Sequence, residues 1–112
     1  MEADKALDAA LKALRYPVAR AYYKGKPVST YFTYQIIAGT PTAFADDDNT
    51  AMESTWRVDL YTKRNYTALL PKVIRALKDA GFYGVSIEAE MFEADTGFYH
   101  VPLEAKYLTM EE

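Results

Sequence analysis

The residues best equipped for chemistry gather near the C-terminus, in Glu93-Ala94-Asp95-Thr96-Gly97-Phe98-Tyr99-His100. His100 is the only histidine in 112 residues, and two carboxylates, Glu93 and Asp95, precede it within one short stretch. A histidine beside a carboxylate can work as a general acid–base pair, since the acid orients the ring and stabilises its charged form. The same stretch also reads as a turn, with aspartate to bond the backbone and glycine to take a positive φ. On that reading His100 opens a returning strand as a structural or interface residue. No motif marks a serine nucleophile, cysteine is absent, and one histidine cannot build a histidine-based metal site. The turn reading is the one adopted.

A second cluster, Asp46-Asp47-Asp48-Asn49, has oxygen ligands of the kind calcium and magnesium take. Adjacent side chains splay apart, however, and the alternating acids, central glycine and distal glutamate of an EF-hand are missing. A solvated loop is the expectation, with no metal or cofactor assigned. Lys24-Gly25-Lys26 is too short for a phosphate loop. The bases from Lys12 to Lys26, interleaved with Tyr16, Tyr22 and Tyr23, have the composition of a nucleic-acid contact. An acidic complement in the same chain favours protein–protein contact instead.

That complement lies in the charge distribution. From Ala9 to Ala45 there are five bases and no acid, whereas Gly84 to Glu112 holds seven acids against Lys106 alone. Such asymmetry suits head-to-tail contact between identical subunits, which closes into a ring when the rotation permits. The candidate interface residues are Arg20, Lys24 and Lys26 on the basic side. On the acidic side are Asp46, Asp47, Asp48, Glu88, Glu90, Glu93 and Asp95, with His100 beside them. Ten tyrosines point the same way, because tyrosine joins apolar area to a polar tip and suits half-buried strands and interfaces.

The elements that must position these residues follow from periodicity. Ala3, Leu7, Ala10, Leu11 and Leu14 form an apolar stripe at helical spacing from Glu2 to about Arg15, ended by Pro17. Pro17–Tyr23 reads as a first strand closed by a turn at Lys24–Pro27, and Thr30–Ala38 as a second strand. Gly39–Met52 reads as a loop. In Glu53–Lys63, Trp56, Val58 and Leu60 alternate with Arg57, Asp59 and Tyr61, the pattern of a half-buried strand. A helix capped by Asn65 or Thr67 runs to about Ala80, with Pro71 tolerated in its first turn and Gly81 as its stop. The rest reads as a hairpin, with Val85, Ile87, Ala89 and Met91 answered by Val101, Leu103, Ala105 and Tyr107. Pro102 predicts an edge strand or a bulge. The order α-β-β-β-α-β-β predicts one α+β domain over residues 1–112. Its mainly antiparallel sheet of about four to five strands carries two helices on one face.

No apolar run approaches the ~18 residues of a membrane span. The N-terminus mixes acids, bases and alanines unlike a signal peptide. With no cysteine, an intracellular setting is expected.

Four stretches together resemble a known family. These are "RYPVARAYYKGKPVSTYFTY" after an opening helix, "FADDDN" before "WRVDLYTKRNYTAL", the helix end "LKDAGF", and "FEADTGFYHVPLEAKY". The chain resembles the small tail-completion proteins of long-tailed bacteriophages and prophages, a head–tail joining and tail-terminator group. The resemblance implies an α+β fold and a structural role in virion assembly, with no catalytic residue to carry over. It also implies a ring, commonly a hexamer, that caps the tail tube and docks the head connector or stopper while DNA passes through its lumen. The implied location is the virion tail or neck, and the host cytoplasm during assembly. Pro71 and Pro102 depart from the family pattern. The rival expectation is a small α+β ligand-binding or enzymatic domain with an aromatic pocket near His100.

Overall fold

The computed structural model describes residues 2–43 and 50–111, so Asp46, Asp47 and Asp48 lie outside the described residues. Two helices, α1 (Glu2–Lys12) and α2 (Leu69–Asp79), accompany six strands: β1 (Val18–Arg20), β2 (Thr30–Ala43), β3 (Thr50–Thr62), β4 (Tyr83–Ile87), β5 (Met91–Glu93) and β6 (Phe98–Glu111). They form one sheet in the order β1-β2-β3-β6-β4, with β5 also paired to β6. The class is the expected α+β.

Alternation decides which face the helices cover. Phe32 and Tyr34 on β2, Trp56, Val58 and Leu60 on β3, and Val101, Leu103 and Ala105 on β6 share one core with Ala3, Leu7, Leu11, Val73 and Leu77 of the helices. Each fully buried large side chain in that set contributes roughly 1.5–3 kcal/mol of burial free energy. Three polar contacts tie this layer together. Trp56 Nε1 donates to Ser54 Oγ at 2.9 Å, the Thr30 and Thr62 hydroxyls meet at 2.8 Å, and Tyr34 donates to Asp8 of α1 at 3.1 Å. Among the described residues, no helix lies over the opposite face of the sheet.

Helix α2 stops by the device its sequence announced. Gly81, at φ 102°, donates to Lys78, and Phe82 donates to Leu77, so two orphan carbonyls are satisfied. Its start differs from expectation. Asn65 Oδ1 accepts from the Thr67 N–H in a turn just ahead of the helix, and the cap position is Ala68, which lacks a side-chain bond. Pro71 is the third helical residue, where its missing N–H would have had no partner.

Four other departures have clear causes. First, β1 pairs parallel with β2, because Tyr22–Ser29 forms a wide return rather than a tight hairpin. Second, part of the expected loop Gly39–Met52 is strand. Beyond a bulge at Ile37, residues Ala38–Ala43 continue pairing with Thr50–Thr55, and β6 follows them to Glu111. The resulting three-stranded arm lengthens the molecule to 54 × 25 × 23 Å, with a radius of gyration of 15.3 Å. A compact chain of this size has a radius of about 13 Å. Third, Ile87 and Met91 are exposed rather than buried, since the strand breaks at Glu88–Glu90 into β4 and β5.

Fourth, Pro102 lies in an interior strand, between β3 and β4. Its carbonyl accepts from the Glu88 N–H at 2.8 Å, so the side of β6 where an N–H is missing faces the β4–β5 break. No ladder bond is lost there, which is how an interior strand tolerates the proline.

Candidate functional site

The open face collects the chemistry-bearing residues. On β3 the alternation that buries Trp56, Val58 and Leu60 turns Arg57, Asp59 and Tyr61 to the other side. The β3–β6 register sets Tyr61 opposite His100 and Asp59 opposite Pro102, so Asp59 and His100 are diagonal neighbours. Asp59 Oδ1 accepts from His100 Nε2 at 2.6 Å and from Arg57 Nε at 2.9 Å. Asp59 is buried and its carboxylate is 8% exposed, with His100 at 13%. The partner of His100 is therefore Asp59, not Glu93 or Asp95. Those two belong to the turn, where Gly97 at φ 79° donates back to the Glu93 carbonyl at 2.8 Å and Glu93 accepts from Thr96 Oγ1.

The aromatics form a row across the strands. Tyr23 stacks on Tyr31 at 4.7 Å between ring centroids, Tyr31 on Tyr61 at 4.8 Å, and Tyr61 on His100 at 4.3 Å. Phe98 meets Tyr31 edge-on, and Lys63 Nζ sits 4.9 Å from the Phe98 ring centroid. Burial first, and the Asp59 charge second, push the Tyr61 hydroxyl up to about 12. Burial, then the Glu93 charge, raises that of Tyr31.

This arrangement clamps the histidine. The imidazole is bonded to a carboxylate and stacked on a phenol ring, and no described hydroxyl nucleophile is bonded to it. The neighbouring grooves do not include His100: one is lined by Arg57, Glu88 and Glu104, another by Lys63, Tyr66, Glu90 and Tyr99. Around His100 itself the aromatic side chains form a stacked row. Among the described residues, no three His, Asp or Glu side chains converge as a metal-ligand set.

The remaining candidates scatter. Arg20 is engaged within the chain, 2.9 Å from Asp4 and 5.4 Å above the Trp56 ring. Lys24 and Lys26 are exposed in the β1–β2 return, which is tied down by Tyr23 stacking on Tyr31 and by its hydroxyl donating to the Lys26 carbonyl at 2.7 Å. Glu90 accepts a hydrogen bond from Tyr66, and Glu88, Glu93 and Asp95 are exposed. The Lys24–Lys26 loop and the acidic β5–β6 turn consequently border the same aromatic row, one through Tyr23 and the other through Phe98.

One feature escaped the reading from sequence. Lys63, Arg64, Lys72, Arg75 and Lys78 make a second acid-free basic stretch, from 63 to 78. Three of these bases lie on the outward side of α2. The signal was in the sequence, since Lys72, Arg75 and Lys78 recur at helical spacing.

No protein-family model matches the chain, and no curated protein matches it in sequence. Among solved structures, the chain is similar to one in the "Virion of native gene transfer agent (GTA) particle". The TM-score is 0.52 at 13% identity, over 94% of this chain and 84% of that one. At such identity the likeness establishes a shared fold. Among the described residues, no helix is long and apolar enough to cross a membrane.

Proposed function

We propose that the chain is a structural virion protein of the long-tailed phage type, forming a ring where tail meets head. The observation that carries this reading is the likeness to a virion chain along 94% of the length, independent of the motif resemblance. Its partners are further copies of itself, in a ring of hexamer type, with the tail-tube protein on one side and the head connector or stopper on the other. DNA passes through the lumen. The clamped His100 fits an assembly role, because its contacts fix a surface instead of exposing a reactive group.

Lys24 and Lys26, with Glu88, Glu93 and Asp95, border the open face and are assigned to subunit contact. The assignment of the whole chain is tested by electron microscopy of particles made without it. Tails of uncontrolled length indicate tail-end capping, and normal tails beside full, unjoined heads indicate joining. Intact, infectious particles overturn the reading.

A further inference from the structure

We propose that the outward face of α2 in one copy seats on the open sheet face of the next, over the groove between Glu88 and Glu104. This names the joint of the ring proposed above and rests on that reading. The donor surface is predominantly cationic, three bases against Asp79, and has apolar residues beside them. Lys72, Arg75 and Lys78 are exposed and form no ion pair among the described residues, and Leu14, Pro71 and Ile74 line the grooves beside them. The acceptor is a groove of about 370 Å³ whose floor includes Ala89, Met91 and Pro102. Glu88 and Glu104 flank it, neither in an ion pair among the described residues, while the Arg57 in its wall is engaged by Asp59. Met91, 44% exposed, offers apolar area to whatever covers the groove.

Placement makes the two patches complementary between copies and useless to each other within one. Helix α2 packs on the covered face through Val73 and Leu77, whereas Glu88, Met91 and Glu104 lie on the opposite face with Arg57. Seating one on the other gives the sheet its second cover and matches unpaired bases to unpaired acids. Two different patches on one chain make a heterologous contact, which closes into a ring when the rotation permits. Duplex DNA on α2 is the competing occupant, but it leaves the acidic groove and Met91 uncovered.

The experiment uses the full chain and two variants, Arg75→Glu/Lys78→Glu and Glu88→Lys/Glu104→Lys, at exposed or half-buried positions, with circular dichroism confirming the fold. In sedimentation velocity at low salt the unaltered chain assembles, and each variant alone associates at least about tenfold more weakly. Mixed together, the variants associate again, since each retains one working patch and the two reversed patches carry opposite charges. Three results overturn the proposal: an unaltered chain that stays monomeric at about 1 mM, variants that assemble like it, or a mixture that associates no better than either variant alone. A mixed-sequence DNA duplex, bound by the unaltered chain and lost only with the α2 variant while assembly persists, also overturns it in favour of nucleic acid. A ring that survives both variants removes this joint and leaves the virion role standing, which particle morphology judges separately.

Discussion

The two faces of the sheet are made of alternate residues on the same strands, yet they obey different rules. The covered face is an apolar layer closed by α1 and α2, with Thr30 bonded to Thr62 and Trp56 to Ser54 inside it. The open face is polar and aromatic, held by a shared carboxylate and a row of stacked rings. One face carries the stability of the domain; the other presents a rigid, charged surface. The difference shows how one period-two pattern can specify both a core and a docking platform.

The sharpest way to break the comparison is to empty a position on the covered face. Trp56 is fully buried, packs against the Tyr34 ring, and donates to Ser54. Trp56→Ala should cost about 3–5 kcal/mol, read from urea denaturation midpoints. A loss no larger than that of an open-face substitution would contradict the division of labour. On the open face the largest effect belongs to Asp59→Ala, which strips the acceptor from Arg57 and His100 at once. The expected cost is about 1–3 kcal/mol, smaller because Arg57 still reaches water. Loss of the His100–Tyr61 stack should show as a change in the near-ultraviolet circular dichroism.

Alkaline pH compares the faces directly. Burial raises Tyr61 on the open face to about 12, with the Asp59 charge adding to it. Tyr34 on the covered face rises to about 12 through burial, then its bond to Asp8. A raised value means that the folded chain keeps a proton the unfolded chain has already released. The contribution is complete below the ordinary tyrosine value of 10.0 and is lost as pH climbs from there towards 12. Thermal unfolding between pH 9 and pH 12, bounds set by the ordinary value of about 10, should therefore show falling stability. Tyr34→Phe and Tyr61→Phe should each make that decline shallower. An unchanged slope in Tyr61→Phe would mean that its hydroxyl is more hydrated than the row of rings implies.

How much of this was legible in the sequence divides along the same line. The covered face was readable, because Trp56, Val58 and Leu60 alternate and Leu7, Leu11, Val73 and Leu77 recur at helical spacing: local patterns that burial enforces. The Gly81 stop and the Asp95–Gly97 turn were readable as local chemistry. The pairing of Asp59 with His100 was not, since it depends on a register that joins residues 41 apart in the chain. The arm was hidden for a similar reason. Gly39, Thr40 and Pro41 carry loop composition, and only the length of β3 and β6 beside them makes them strand. The break at Glu88–Glu90 answers a proline on a neighbouring strand, which alternation within β4 alone could not disclose.

The smallest effect on folding is expected where the open face meets solvent, at Lys24 and Lys26. Both are exposed, and the loop is held by Tyr23, which stacks on Tyr31 and donates to the backbone carbonyl of Lys26 rather than to a side chain. Lys24→Glu/Lys26→Glu should thus change unfolding free energy by no more than about 0.5 kcal/mol in urea titrations. Under the proposed ring the same pair should nonetheless weaken self-association, followed by light scattering against protein concentration. The two readouts separate the roles. A stability loss as large as that of Asp59→Ala would make the loop part of the fold, and unchanged association would remove it from the interface. Stability held with association lost is the signature of a surface kept for contact, because the rings beneath stay stacked while the charge above them is reversed.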